Sequence, residues 1–336
     1  VDEDSSIVGE EAFMNPANNE VLTLGYFVGQ DFDLFHVDLG IRLDQVTRSG
    51  SITDEEHGDV DNFTIDDDVS SFAVSLGRDL SDTLELNLGF SSVERLPSVI
   101  ELFMNGPHMA TGRFEVGDPT LSSETSNNFD ISLNFSNGEY FAYASFFIND
   151  VDNYIALIDE DEDHEDEHHE DEDAHDDEHD HGNLIHANYV QEDAEFDGYE
   201  IEFGRTFDLG AGEMTLSFGR DVVNAKFTDG HNVPRINPAR NIYSLSYAQD
   251  DIVFKLHLKD VEKQNDVGEG ETATAGYQML DTRLTKTFDL SGKGELKVSL
   301  FGRNLLDEAA RNHASFVKNE VPLPGKNYGI KFNLTY

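Results

Sequence analysis

The sequence contains no cysteine and no tryptophan, and its basic residues are scarce. Without cysteine, the chain can form no disulfide, thiolate zinc site or cysteine nucleophile. Of its 336 residues, 22 are lysine or arginine and 69 are aspartate or glutamate, which gives a formal net charge of −47. A chain of this charge repels phosphate and attracts cations. Nucleic acid is therefore excluded as a partner.

The sequence also lacks a membrane-spanning apolar run, a signal-peptide pattern and the common catalytic motifs. No run of about 18 apolar residues occurs, so the sequence predicts no transmembrane helix. The chain opens at Val1 without a signal-peptide pattern, so we expect that an export signal has been removed or that the chain starts within a domain. It has no Gly-x-Ser-x-Gly turn, no P-loop and no His-Glu-x-x-His motif. The sequence therefore predicts neither an enzyme nor an organic cofactor.

Alternation of apolar and polar residues runs through most of the chain, which holds 24 Phe, 11 Tyr and 27 Gly. This content is too aromatic for a disordered protein. In residues 84–90, Leu and Phe alternate with Glu, Asn and Gly, and residues 129–135 and 328–336 repeat the pattern. A period of two indicates β-strands with one apolar and one polar face.

About thirteen strands are predicted, joined alternately by short turns and long loops. Their expected positions are 20–29, 32–46, 68–79, 82–93, 123–136, 139–158, 184–207, 211–227, 240–249, 251–262, 276–290, 293–304 and 325–336. Most reach the roughly 9–11 residues that a tilted membrane strand needs. Short periplasmic turns and long extracellular loops are typical of outer-membrane barrels. The predicted fold is an all-β, antiparallel transmembrane β-barrel, with charged residues such as Glu85, Lys255, Lys297 and Arg303 lining a hydrated lumen.

Residues 94–128 carry a group of motifs in which an Arg-x-Pro-Ser…Glu-Leu-Phe segment precedes Gly-x-His-x-Ala-Thr and Phe-Glu-x-Gly. Further motifs are Ala-Ser-Phe-Phe-Ile-Asn at 144–149, Gly-Arg-Asn-Leu-Leu-Asp at 302–307 and Pro-Leu-Pro-Gly at 322–325. Over nearly the whole chain, these motifs resemble the barrel of TonB-dependent outer-membrane receptors. The nearest subgroup is the zinc receptors with a His-rich loop, and the copper receptors are its neighbours.

The resemblance implies that residues 1–336 are the C-terminal portion of a barrel of about 22 strands whose plug domain is absent. It implies a multi-pass protein of the Gram-negative outer membrane, in contact with lipid. TonB and its energising complex would act through the missing plug. The last strand, ending in Tyr336, resembles the signal read by the barrel-assembly machinery.

An acidic, histidine-rich tract is the most unusual segment of the chain. Residues 159–181 contain 16 Asp or Glu, six His and one Ala, and we expect a His/Asp/Glu-rich extracellular loop over 159–183. Imidazole nitrogen and carboxylate oxygen are zinc ligands, and imidazole also binds copper. We predict weak, multivalent metal capture, although acidic runs are commonly solvated loops with no ligand. The candidate ligands are His164, His168, His169, His175, His179 and His181.

A tighter inner site is expected in the long loops. His108 lies in the resembling loop near Glu115, and His313 lies in another outer loop. Both histidines and Glu115 are candidate ligands, with the remaining ligands in the missing part of the barrel. The alternative for His108 is a structural histidine bonded to backbone.

The predicted function is TonB-dependent uptake of a metal ion, with zinc first and copper second. A receptor for a metal chelate or siderophore has the same fold and is an alternative function. A second alternative is a non-transporting surface barrel that binds cations such as calcium through the tract.

Overall fold

The computed structural model describes residues 1–9, 12–53, 57–160, 184–292 and 294–336. Within these ranges the chain forms one sheet of 16 strands and one short helix, α1 (Val99–Phe103). The strands are β1 (Asp2–Ser5), β2 (Ala17–Asp31), β3 (His36–Thr53), β4 (Val60–Ser81), β5 (Leu84–Arg95), β6 (Asn105–His108), β7 (Arg113–Val116), β8 (Glu124–Ser136), β9 (Tyr140–Asp159), β10 (Ile185–Asp208), β11 (Glu213–Phe227), β12 (Arg240–Gln249), β13 (Ile252–Val261), β14 (Tyr277–Asp289), β15 (Glu295–Arg303) and β16 (Asn327–Thr335).

The main path of the sheet follows chain order, with β5 pairing directly with β8. Neighbours on this path pair antiparallel, whereas β7 lies off the path and pairs in parallel with β10. The predicted all-β antiparallel architecture is confirmed, and each of the thirteen predicted strands is present. Within the described ranges, β1 and β16 are the two ends of the path and do not pair with each other, so the sheet is open.

Short and long connections lie at opposite ends of the sheet. Turns such as those from β8 to β9 and from β10 to β11 contain Gly138 at φ 87° and Gly210 at φ 77°. Glycine is favoured there because side chains disfavour positive φ. The long connections, among them β5–β8, β13–β14 and β15–β16, share the other end, called here the outer end.

The two faces of the sheet differ in polarity. On β8 and β9, Phe129 and Ile148 are direct partners, and they are 49% and 51% exposed. The next pair along the two strands, Asp130 of β8 and Phe147 of β9, lies on the opposite face. On its other side, Asp130 pairs with Gly89 of β5. Rows of exposed apolar side chains, clearest on β2, β3 and β16, require an apolar surrounding, which a lipid bilayer supplies. None of the described helices has the length and apolar character needed to cross a membrane.

Residues 94–122, predicted as one long loop, instead contain α1, β6 and β7. Ser98 and Glu101 form a capping box, in which each side chain bonds the other residue's backbone N–H, and this starts the helix. Leu102 and Phe103 are buried in a core cluster at the outer end, together with Met14. The prediction of a plain loop was wrong because these elements are too short to show a period in the sequence.

Candidate metal centre at the outer end

The histidines of the acidic tract lie outside the described residues. They are His164, His168, His169, His175, His179 and His181. Their role as ligands stays a prediction.

The start of the tract differs from the expected solvated loop. Asp159 is the last residue of β9 and is buried, and its carboxylate accepts hydrogen bonds from Arg113 Nε at 2.6 Å and Nη2 at 2.5 Å. The Glu160 backbone N–H donates to the His186 carbonyl oxygen at 2.9 Å. Asp159 is therefore the last residue of β9, where it pairs with Ala187, and the predicted loop over 159–183 stays a prediction from residue 160 onwards.

The β6–β7 hairpin lies at the base of the tract. Residues 113–116 of β7 pair with residues 185–188, which begin β10 directly after the tract. Arg113 of the same strand holds Asp159, on the other side of the tract. One short strand thus contacts the described residues on both sides of segment 161–183.

His108 and Glu115 are brought together by this hairpin. His108 Nδ1 lies 2.9 Å from Glu115 Oε1, and the Thr111 hydroxyl donates to the same oxygen at 2.6 Å. Glu115 is fully buried, whereas 29% of the His108 side chain is exposed. The His108 ring also packs on Phe13, with centroids 4.6 Å apart.

Two glycines allow this arrangement. Gly112 has a φ of 68° in the hairpin turn, a conformation that residues with a Cβ disfavour. Gly106 lies so close to the N-terminal segment that a Cβ there would be 2.8 Å from the Phe13 Cα. The hairpin can therefore pack directly against Phe13.

The chemistry of the pair follows from its hydrogen bonds. A carboxylate only accepts hydrogen bonds, so Glu115 selects the tautomer in which His108 Nδ1 carries the proton. Nε2 then keeps its lone pair for a metal ion, as in the carboxylate–histidine arrangement of many metal sites. In the part of the chain that the structure describes, no three His, Asp or Glu side chains gather to hold a metal ion. His108 would therefore need ligands from elsewhere.

His313 occupies a different environment. It is buried, its Nδ1 lies 2.9 Å from the Thr274 hydroxyl, and its Nε2 lies 3.2 Å from Glu271 Oε1 without well-aligned hydrogen-bond geometry. Among the described residues, these contacts join it to the β13–β14 loop and not to His108 or Glu115. Its role as a metal ligand stays a prediction, and the structure places it in an ionic cluster.

Glu271 is the centre of that cluster, which the sequence did not reveal. It accepts hydrogen bonds from Lys318 Nζ at 2.6 Å and from the backbone N–H groups of Arg235 and Gly268 at 3.0 Å. Burial raises the pKa of Glu271, but these donors and His313 outweigh burial and bring the pKa down to about 2. The cluster ties three outer loops together at neutral pH.

A stacked aromatic ring extends these loop contacts towards the hairpin. The Phe316 ring lies between two guanidiniums, with Arg113 Cζ 4.6 Å and Arg235 Cζ 4.1 Å from its centroid. Such cation–π contacts stabilise partly desolvated arginines. Arg113 and Phe316 are about two hundred positions apart in the sequence. Residue spacing alone therefore could not have predicted that they are in contact.

Comparisons with known proteins agree with this architecture. Residues 7–305 match the family described as "TonB dependent receptor-like, beta-barrel". Among solved structures, the chain is similar to the copper transporter OprC, with a TM-score of 0.74 and 18% identity, over 97% of this chain and 49% of that one. The FrpB iron transporter from Neisseria meningitidis gives a TM-score of 0.63 and 13% identity, over 94% and 45%. The ferric citrate transporter FecA gives 0.63 and 13%, over 95% and 45%. The chain spans about half the length of these proteins, and at such identities the likeness shows the fold alone.

Proposed function

The chain belongs to the family of TonB-dependent receptor-like β-barrels, and on that premise we propose that it is part of a receptor that takes up a metal ion. Zinc is the first candidate and copper the second. The receptor binds the ion from outside the cell and passes it through the barrel with energy supplied by TonB. The ion is cargo.

Family membership establishes the coarser points. Members are multi-strand β-barrels of the Gram-negative outer membrane and are transporters, not enzymes. The predicted location and the predicted absence of catalytic activity are therefore confirmed. Metal or metal-chelate cargo is consistent with the copper, iron and ferric citrate transporters among similar structures.

The observation that supports zinc is the tract of six histidines and 16 carboxylates in residues 159–181. Nitrogen and oxygen donors suit zinc, whereas copper(I) prefers the sulfur of cysteine and methionine. The chain has no cysteine and five methionines. Strand β7 pairs with residues 185–188, which follow the tract, and its Arg113 binds Asp159, at the start of the tract. Ions collected by the tract would therefore be released close to His108, which lies in the same hairpin.

Two partners complete the proposal. TonB and its energising complex act through a plug domain outside this chain, in line with the family. The barrel-assembly machinery reads the last strand through Tyr336. If a Tyr336→Ala receptor reached the outer membrane in normal amounts, recognition by the barrel-assembly machinery through Tyr336 would be excluded.

The deciding experiment is zinc uptake by cells under zinc limitation. One variant has the six tract histidines changed to asparagine, and its control has six tract carboxylates changed to asparagine or glutamine. Loss of uptake at low zinc in the histidine variant, with uptake recovered at high zinc and abolished without TonB, supports the proposal.

The alternative functions predict other results. A copper receptor would show TonB-dependent uptake of copper and none of zinc. A siderophore or chelate receptor would take up metal only as the chelate and would be indifferent to the tract histidines. A non-transporting surface barrel would bind calcium through the tract carboxylates and show no uptake at all.

A further inference from the structure

Charged side chains on the lipid-facing side of the sheet differ with depth, as β10 shows. Phe203 is 57% exposed and pairs with Phe218 of β11 on that side. Residues an even number of positions apart on a strand share a face, so Asp197 and Arg205 lie in the same row as Phe203. Arg205 is three residues from the short-turn end of the strand, called here the inner end. One lipid-facing row therefore has an acid towards the outer end and a base at the inner end.

The separation of these two charges matches the apolar band of a membrane barrel. Asp197 and Arg205 are eight positions apart, which is about 26 Å along a strand. With a strand tilt of about 40°, that length spans about 20 Å of the bilayer, and the apolar band of a barrel is about 25 Å tall. Their direct partners Ile148 and Leu216 are exposed apolar residues. Arg205 therefore lies at the periplasmic interface of the bilayer.

Two more basic side chains lie at the same depth on lipid-facing rows. Arg78 of β4 is in the row of Leu76, and Lys286 of β14 is in the row of Leu284. Like Arg205, each is three residues from the inner end of its strand. We call Arg78, Arg205 and Lys286 the inner basic belt. Within the strands that the structure describes, these rows contain no Asp or Glu at the inner end.

The outer ends of the lipid-facing rows have the opposite charge. Carboxylates there include Asp66, Asp68, Asp150, Asp152 and Glu195. Two basic residues on these rows have acidic neighbours, because Arg220 binds Glu262 at 2.6 Å and Lys226 lies directly opposite Glu195. The lipid-facing side is thus basic at one interface only, although carboxylates outnumber lysines and arginines by 69 to 22 in the chain.

Aromatic rings accompany two members of the inner basic belt. Arg205 Cζ lies 4.8 Å from the centroid of the Tyr140 ring and 4.5 Å from that of Phe207. Lys286 Nζ lies 5.5 Å from the centroid of Phe288. Aromatic side chains are typical of the two interfaces of a membrane barrel. The rings therefore hold these charges at the depth of the lipid headgroups.

The positive charge of the belt is only partly neutralised within the chain. Arg205 contacts Glu139, a residue of the β8–β9 turn, and both side chains are about half exposed. Across the ranges that the structure describes, Arg78 and Lys286 form no ion pair with Asp or Glu. Because the belt faces outwards, a domain inside the lumen cannot cover it.

We propose that the inner basic belt binds anionic phospholipids of the periplasmic leaflet through their phosphate groups. At this depth, the neighbours of an outward-facing side chain are lipid headgroups. Arginine and lysine donate charge-assisted hydrogen bonds to phosphate, and basic residues at a membrane surface attract anionic lipids. The acidic outer end repels phosphate, which confines this binding to one leaflet. The belt fixes the depth of the barrel in the membrane, whatever its cargo.

Native mass spectrometry of the full receptor tests the proposal, because it counts the lipids that stay bound when detergent is removed. The probes are phosphatidylglycerol, which is anionic, and phosphatidylcholine, which has no net charge, each added at the same concentration in a neutral detergent. We expect the unchanged receptor to retain up to three phosphatidylglycerol molecules and to bind phosphatidylcholine more weakly.

The test variant combines Arg78→Gln, Arg205→Gln and Lys286→Gln. Its affinity for phosphatidylglycerol should fall at least about tenfold, because charge-assisted hydrogen bonds to phosphate are lost. In case the triple variant does not fold, Lys286→Gln is the second variant, since Lys286 has no ion pair to break. It should retain one phosphatidylglycerol molecule fewer than the unchanged receptor.

The matched control removes three basic charges from the opposite, lumenal face of β13–β15. It combines Lys255→Gln, Arg283→Gln and Lys297→Gln. This variant should retain as much phosphatidylglycerol as the unchanged receptor. Loss of the lipid from the control to the same extent as from the test variant would overturn the proposal, because net charge and not the belt would be responsible.

Three other results would also overturn the proposal. The first is equal retention of phosphatidylglycerol and phosphatidylcholine by the unchanged receptor. The second is an unchanged number of bound phosphatidylglycerol molecules in both the triple variant and Lys286→Gln. The third is displacement of the lipid by an equal concentration of inorganic phosphate, which would show that the belt binds free phosphate and not a lipid.

Discussion

At the residue scale, burial distinguishes Glu115 from His108. A metal ligand must reach the ion, yet Glu115 is fully buried and its Oε1 already accepts hydrogen bonds from His108 and Thr111. His108 is partly exposed. The geometry favours Glu115 as the residue that orients His108, whereas the sequence presented both as candidate ligands.

Glu115→Gln tests this assignment. Glutamine keeps the shape of the side chain but loses the carboxylate that fixes the His108 tautomer, and loss of such a partner typically lowers metal affinity about 10–100-fold. Zinc affinity should be measured in a receptor lacking residues 161–183, so that the tract does not contribute. The matched control is Glu139→Gln, at the short-turn end of the sheet. Equal affinities in the two variants would contradict the orienting role.

Glu271 gives a prediction in pH. Its pKa falls from 4.5 to about 2, because hydrogen-bond and ionic partners outweigh burial. A carboxylate with a depressed pKa contributes stability that is present above the unfolded value and lost as pH falls through the folded value. The outer loops should therefore resist protease above about pH 4.5 and loosen progressively towards pH 2.

The check is hydrogen exchange around Lys318 as a function of pH. In Glu271→Gln, the loops should exchange faster at neutral pH, because Lys318 loses its charged partner, and the dependence between pH 4.5 and 2 should flatten. A Glu320→Gln variant, in the loop that carries Lys318, controls for the loss of one carboxylate at the outer end. An unchanged pH profile in Glu271→Gln would show that another group controls the loops.

At the element scale, β7 has a structural effect larger than its four residues suggest. It joins the end of β9, through Arg113 and Asp159, to the start of β10, through backbone pairing. Removing one partner of a buried ion pair typically costs about 3–5 kcal/mol, since the other charge is left unpaired. Arg113→Met should therefore release the hairpin and expose the amides of residues 185–188.

A double-mutant cycle tests that coupling. Arg113→Met and Asp159→Asn should each raise hydrogen exchange in residues 185–188, whereas the double variant should recover much of the protection because no buried charge remains. Additive effects of the two substitutions would mean that the ion pair does not hold the hairpin.

The same elements show how far the sequence predicts this fold. The thirteen long strands were predictable because each has a clear period of two, and the outer end was predictable from loop length. The short strands β6 and β7 were not, since four residues carry no period. The sequence places His108 and Glu115 close together in one loop, and both were predicted as candidate ligands. The burial of Glu115 could not be predicted, because it depends on contacts with distant segments. The Glu271 cluster joins residues 235, 268, 313 and 318, which no local pattern connects.

At the scale of the whole molecule, charge is arranged by location. Acidic residues are concentrated in the tract between β9 and β10, and basic residues such as Lys255, Arg283 and Lys331 lie on the lumenal face of β13–β16. The apolar face is left for lipid.

The lipid-facing assignment predicts opposite outcomes for neighbouring positions on β8. Ile131 pairs with Leu88 and Phe146 on the apolar face, whereas Ser132 pairs with Asn87 and Ser145 on the lumenal face. A lysine near the middle of the bilayer costs about 2–4 kcal/mol, so Ile131→Lys should lower the denaturant midpoint in lipid vesicles. Ser132→Lys adds the same charge one residue away but projects it into a hydrated lumen, so it should change the midpoint little. In detergent micelles, which deform around a charge, the gap between the two variants should narrow. Equal costs in vesicles would remove the distinction between the two faces, and a larger cost for Ser132→Lys would reverse their assignment.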